Sequence, residues 1–222
     1  MRRKNALVTG ASRGIGLAVC SCLKKQGIRV LAPARQELDL SSEESIGDYF
    51  ASLKHSVDIL VNNAGINLLA SFKGLTEENI TATLKVNLLA PLRLALKLAP
   101  QMAKRGYGRI VNVSSIWGLV TKPGRISYTL SKSGLVGLTK SLAVELAPHN
   151  ILVNAVAPGY VNTELTRKNN TLKELNKIKK SIPLQRLAEP GEIAELISFL
   201  CSDKNTYITG QTVAIDGGYL CL

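Results

Sequence analysis

Six short apolar runs punctuate this sequence: ALVTG (6–10), RVLA (29–32), DILVNNAG (58–65), RIVNVSS (109–115), ILVNAVAPG (151–159) and TVAID (212–216). They are largely apolar at consecutive positions, the pattern of strands covered on both faces. A helical pattern fills every gap between them. The first, 14–27, is stopped by Gly27; 41–53 opens on Ser with acids in its first turn; about 76–104 carries an expected bend at Pro91; 125–147 and 189–202 complete the set. Buried strands alternating with helices specify a parallel sheet with right-handed crossovers. The expected fold is α/β, a doubly wound parallel sheet in a single domain over 1–222, without repeats or interdomain linkers.

Composition sets limits on function. Apolar residues make up 45% and charged residues 20%, as in ordinary soluble domains, and no run of eighteen uncharged apolar residues suggests a membrane span. The start MRRKNALVTG is basic and then apolar, but the apolar run is short and meets a glycine turn instead of a cleavage site. A cytoplasmic protein is expected. Cys20, Cys22, Cys201 and Cys221 form no C-x-x-C pair and read as buried, reduced thiols, and no metal site is expected. The net charge is +12, with Arg167, Lys168, Lys173, Lys177, Lys179, Lys180 and Arg186 clustered together. That cluster is either a solvated helix face or a docking surface for an acidic, phosphate-bearing carrier. No aromatic-rich basic motif points to nucleic acid.

TGASRGIG (9–16) joins the first strand to the first helix. Gly10, Gly14 and Gly16 permit a tight turn and close backbone approach, and the helix N-terminus offers free N–H groups to a pyrophosphate. After the second strand, where an acid would bind the 2′-hydroxyl of NAD, the chain reads LAPARQE. Arg35 and Arg13 can flank a 2′-phosphate, so NADP(H) is expected, with NAD(H) not excluded; Glu37 argues the other way but sits past the strand end.

TGASRGIG, NNAG (62–65), YTLSK (128–132) and APGYVNT (157–163), in this order, resemble the short-chain dehydrogenase/reductase family over nearly the whole chain. The segments IPLQRLAEPGEIAELISFLCSD and YITGQTVAIDGG are most similar to its 3-oxoacyl-(acyl-carrier-protein) reductases. The resemblance implies a Rossmann-type fold and carbonyl reduction, with a 3-oxoacyl thioester as substrate, an acidic acyl carrier protein as partner and a role in fatty acid biosynthesis. A sugar, polyol or small alcohol substrate is the alternative, and a non-catalytic nucleotide-binding scaffold a further one. The resemblance also implies a homodimer or homotetramer, with the apolar ending YLCL at an interface, and a substrate lid around 163–190. It assigns cofactor contacts to Gly10, Ser12, Arg13, Gly14, Ile15, Gly16, Arg35, Asp39, Leu40, Asn63, Ala64, Gly65, Tyr128, Lys132, Pro158, Gly159, Val161 and Thr163. One departure stands out. The family has a helix and a strand between its second strand and the acid corresponding to Asp39, whereas here only a handful of residues intervene. A parallel crossover needs roughly a dozen residues. The expected sheet therefore has six strands, lacks the usual third strand and its preceding helix, and carries its second strand at the edge.

Tyr128 and Lys132, four residues apart, share one helix face, and Ser115 ends the fourth strand. An ammonium beside a phenol lowers its pKa, so Lys132 is expected to tune Tyr128 as the proton donor or acceptor. By resemblance, Ser115 rather than Ser114 holds the substrate oxygen together with Tyr128, Lys132 also binds the nicotinamide ribose, and Asn87 is the fourth catalytic residue, supporting a water chain. Strand alternation agrees that only one of the two serines faces the site. Trp117 either lines the substrate pocket or belongs to the core.

Overall fold

The computed structural model describes residues 3–222; residues 1 and 2, which open the basic N-terminal stretch, lie outside the described residues. The strands are β1 (Asn5–Val8), β2 (Arg29–Leu31), β3 (Ile59–Asn62), β4 (Gly108–Val113), β5 (Ile151–Pro158) and β6 (Thr212–Ile215). They pair in parallel throughout, in the order β2-β1-β3-β4-β5-β6. The helices are α1 (Gly14–Lys25), α2 (Glu43–Ser52), α3 (Glu77–Leu84), α4 (Ala90–Lys104), α5 (Ile126–Leu146), α6 (Glu164–Lys168), α7 (Leu172–Ser181) and α8 (Pro190–Cys201).

The two-residue period of a strand sorts the core into two layers. Ala6, Val8, Ile59, Val61, Val111 and Val156 face α1 and α8, where they meet Val19, Leu23, Ile193 and Ile197. Leu7, Leu60, Ile110, Ile151 and Val153 face the other way, onto Ile46 of α2, Leu94 and Leu98 of α4, and Ala143 of α5. Burying one such leucine or isoleucine contributes about 1.5–3 kcal/mol.

The shortened segment behaves as expected: β2 is three residues long and forms the sheet edge. The chain then turns tightly, with Glu37 and Leu38 amides both donating to the Ala34 carbonyl at 3.0 Å. Leu38 and Leu40 are buried beside Ile46 and Val57, so this segment plugs the core in place of a strand.

The helical segment expected over about 76–104 is present, and the disturbance expected at Pro91 takes the form of a widened turn just before it. A wide π-helical turn, Lys85–Leu89, separates α3 from α4, and the Ala90 amide donates five residues back to Lys85. Pro91 follows directly, near the start of α4, and its missing N–H is a recognised cause of such a local disturbance. Residues 163–190, expected to form the substrate lid, carry α6 and α7. Thr163 caps the first, and a Thr171–Glu174 capping box closes the second. Leu175, Ile182 and Leu187 of this region bury against Ile116, Trp117 and Tyr160, with Tyr219 and Leu220 packed on the same cluster.

All four cysteines are free. Cys20 and Cys201 are buried as expected, but Cys22 is partly exposed and Cys221 exposed. Among the described residues, no helix is long and apolar enough to cross a membrane.

Candidate active site

A cleft of about 820 Å³ opens along the C-terminal edge of the sheet. Its floor is the β1–α1 turn. Gly10 and Gly14 have φ of +63° and +54°, which L side chains rarely adopt. A Cβ at Gly10 would lie 2.8 Å from the Ala64 Cα, and one at Gly16 would strike the Gly10 carbonyl and the Asn63 side chain. Asn63 Nδ2 donates to the carbonyls of Thr9 and Gly10 at 3.0 Å, tying the turn to the end of β3. No side chain caps α1 and no acid lies in its first turn, so its leading amides stand open to an anion.

At one end, the cleft is walled by Pro33, Ala34, Arg35, Asp39 and Leu40. Arg13 and Arg35 both line it, each with a carboxylate partner: Arg13 Nη1 meets Glu164 at 2.7 Å, and Arg35 Nε meets Asp39 at 3.3 Å. Both guanidiniums are exposed, so these pairs are weak and exchangeable. Ser41 donates to the Asp39 carboxylate from both its hydroxyl and its amide, which hold the Asp39 pKa down together with Arg35. Glu37 turns back on its own turn, accepting from the Ala34 amide at 2.7 Å, and is not among the cleft-lining residues. The acid that argued against a 2′-phosphate is therefore turned aside.

Midway along, the cleft reaches Ser115, Tyr128 and Lys132. Both serines line the cleft, but the Ser114 hydroxyl is committed to the Lys132 carbonyl, to which it donates at 3.1 Å, which leaves Ser115 as the serine that can serve a ligand. The Ser115 hydroxyl accepts from the Trp117 amide at 3.2 Å and lies near enough to the Tyr128 hydroxyl to lower its pKa. Lys132 is buried; its Nζ donates to the Val113 carbonyl at 2.7 Å and lies 5.7 Å from the centroid of the Tyr128 ring. The electrostatics differ from expectation. Burial pushes the Tyr128 pKa up, opposed by the Ser115 hydrogen bond and by the charge of Arg125. Burial also lowers Lys132 from 10.5 to about 8, because no anion compensates the desolvated ammonium.

Asn87 sits on the π-helical turn, one layer behind the cleft. Its Oδ1 accepts from the Ile66 amide at 2.9 Å, and its Nδ2 donates to the Ile66 carbonyl at 2.8 Å and to Ser131 at 3.1 Å. Gly65 lies between it and the lysine: a Cβ there would be 3.3 Å from Asn87 Oδ1 and 3.5 Å from Lys132 Nζ. Of the residues assigned to the site from sequence, only Asn87 and Gly16 do not line the cleft. Pro158, Gly159, Val161 and Thr163 line it opposite the glycine turn, and Thr163 Cγ2 comes within 3.2 Å of a Cβ placed on Gly14.

The far end contains residues the sequence did not single out. Arg125, one turn before Tyr128, is 5% exposed, lines the cleft, and lies with its Cζ 5.0 Å from the Trp117 ring centroid. Tyr160 lines the cleft too and accepts from Lys122 Nζ at 3.1 Å. Trp117, Tyr160 and Tyr219 pack edge to face at 5.7–6.1 Å. Trp117 thus fulfils both roles open to it, as core and as wall. The signal for Arg125 was its place three residues before Tyr128, but its burial is a tertiary property.

Comparison with known proteins places this geometry in context. The family pattern described as "Enoyl-(Acyl carrier protein) reductase" matches residues 32–220, and the one described as "short chain dehydrogenase" matches 4–44. The chain is 39% identical to a 3-oxoacyl-(acyl-carrier-protein) reductase of Aquifex aeolicus over 98% of each chain. Among solved structures, it superposes with a TM-score of 0.94 on a 4-hydroxyisoleucine dehydrogenase complexed with NADH, at 32% identity, covering 99% of this chain and 100% of that one. It superposes equally well on a gluconate 5-dehydrogenase from Burkholderia cenocepacia in complex with NADP and tartrate, with a TM-score of 0.94, 28% identity and coverage of 100% and 97%.

Proposed function

We propose that this chain, which belongs to the short-chain dehydrogenase/reductase family, is an NADP(H)-dependent oxidoreductase that interconverts a ketone and a secondary alcohol. The observation that carries the reading is the Ser115–Tyr128 pair, above the buried Lys132, in the same cleft as the open glycine turn. The cradle fits a dinucleotide: a Cβ is excluded at Gly10 and Gly16, the α1 amides are uncapped, and two arginines line the 2′-phosphate end. When bound, the nicotinamide supplies hydride to the ketone carbon or takes it from the alcohol carbon. Ser115 donates a hydrogen bond to the reacting oxygen and fixes its place. Tyr128 gives that oxygen its proton; its raised pKa keeps the phenol protonated at neutral pH, the form that reduction requires. Lys132 binds the ribose hydroxyls and hands a proton on toward Tyr128, and Asn87 orders the 63–67 loop beneath them.

Two substrate classes have support. The 3-oxoacyl thioester is supported by the 39% identical relative and by the exposed basic residues of 167–186, a surface suited to an acidic carrier protein in the cytoplasm. A hydroxy acid is supported by Arg125 and by the two solved neighbours, whose names carry gluconate, tartrate and 4-hydroxyisoleucine, all carboxylates. Residues 163–190 form the substrate lid in either case, and assembly into a dimer or tetramer is part of the same proposal. Oxidation of NADPH against acetoacetyl thioesters, oxo acids and neutral ketones tests the activity. Tight NADPH binding with no oxidation by any of them would leave a nucleotide-binding scaffold.

A further inference from the structure

Arg125 presents a buried guanidinium that nothing in the fold neutralises. Its Nε is shielded from solvent and has no hydrogen-bond partner, and among the described residues it enters no ion pair. The groups whose charge it senses are three phenols, Tyr160, Tyr128 and Tyr219, and no carboxylate. Lys122 stands beside it, over the Trp117 ring at 5.3 Å and the Tyr160 ring at 5.7 Å, and the two cations repel. The one carboxylate Lys122 senses, Glu174, already accepts the Thr171 amide and hydroxyl in the α7 capping box. A desolvated cation with free donors is costly unless an anion completes it. Here the cavity that would admit one is the cleft itself, which Arg125 lines together with Trp117 and Tyr160.

We propose that Arg125 binds a carboxylate of the substrate, so that the reacting compound is a short oxo or hydroxy acid with its acid group free. The inference rests on the reductase reading above and selects between its two substrate classes. The planar fork of the guanidinium suits a carboxylate, and the apolar face of Trp117 excludes water behind it. Arg125 is the N-cap of α5, lines the same cleft as Tyr128 and is near enough for its charge to lower the Tyr128 pKa. A carboxylate held by Arg125 therefore sits a few bonds from the carbonyl that Tyr128 protonates. The carboxylate gains and loses no covalent bond in the reaction; it anchors.

Acetoacetate and methyl acetoacetate share the reacting ketone and differ in the charge. The expected result is that kcat/KM with NADPH favours the acid over the ester, and that Arg125→Gln lowers this ratio about 30- to 100-fold, with Arg125→Lys recovering part of it. Trp117 is the only tryptophan, so its fluorescence gives a readout that needs no turnover. Acetoacetate should quench or shift it saturably in wild type but not in Arg125→Gln, and the ester should do so in neither. Equal turnover of acid and ester, unchanged by Arg125→Gln, overturns the subsite while leaving the reductase intact. A saturable acid-specific fluorescence change, lost in Arg125→Gln, with no reduction of any acetoacetyl thioester, oxo acid or neutral ketone, sinks the reductase reading and leaves the subsite standing.

Discussion

Replacing Lys132 by methionine is expected to stabilise the fold at neutral pH while abolishing turnover. Lys132 is 3% exposed, its ammonium is compensated by one carbonyl hydrogen bond, and its pKa falls from 10.5 to about 8. At 1.36 kcal/mol per pH unit, holding that proton in the folded state at pH 7 costs about 3 kcal/mol relative to the unfolded chain. Methionine has a similar length and no charge, so it removes this cost but also removes the bond to the Val113 carbonyl, worth about 1 kcal/mol. The net gain is about 2 kcal/mol, or about 4–8 °C in Tm for a chain of this size. The pH dependence isolates the cause. Between about pH 8 and 10.5 the unfolded chain binds more protons at this site than the folded one, so the wild type gains stability as pH rises through that window. By pH 10 the remaining cost is about 1 kcal/mol, and the advantage of methionine should vanish. Urea unfolding of both proteins at pH 7 and pH 10, followed by circular dichroism, measures this directly. A variant less stable than wild type by the same amount at both pH values would refute the reasoning, because the buried ammonium would then carry no penalty.

Three further outcomes are expected. Since burial raises the Tyr128 pKa, kcat/KM for alcohol oxidation should climb with pH up to about 10 without a plateau, while ketone reduction stays level around neutrality; a plateau in oxidation near pH 7 would contradict this. Ser115→Ala should lower kcat about 10²- to 10³-fold with little change in NADPH affinity, measured by steady-state kinetics and cofactor titration. Arg35→Glu should lower the NADPH-over-NADH ratio of kcat/KM about 10- to 100-fold, and an unchanged ratio would remove Arg35 from the 2′-phosphate site.

The sheet was legible because its information is local. Consecutive apolar positions mark each strand, and the few residues between Leu31 and Asp39 cannot hold a crossover, so the missing strand follows from chain length alone. Strand alternation likewise separates Ser115 from Ser114, whose hydroxyl is committed to the Lys132 carbonyl. The π-helical turn beneath Asn87 was not legible, because Pro91 signals a disturbance without saying whether the helix bends or widens. Helices α6 and α7 are short and polar; the Thr171–Glu174 spacing and the apolar stripe of Leu172, Leu175 and Ile178 were the available signs of α7. The depressed pKa of Lys132 and the isolation of Arg125 depend on what surrounds them in space. A charged residue three positions before a tyrosine reads as surface until the aromatic wall of Trp117, Tyr160 and Tyr219 is seen around it.

The central claim is that the Tyr128 phenol, beside Ser115, exchanges a proton with a carbonyl oxygen in the glycine-floored cleft. Its most direct test mixes the enzyme with NADPH and a set of ketones, oxo acids and acetoacetyl thioesters, and follows the loss of reduced-nicotinamide absorbance in wild type and in Tyr128→Phe, with NADPH affinity measured alongside. Wild type should oxidise NADPH with at least one of these substrates, and Tyr128→Phe should bind NADPH comparably yet turn over about 10³-fold or more slowly. Undiminished turnover in Tyr128→Phe would contradict the account.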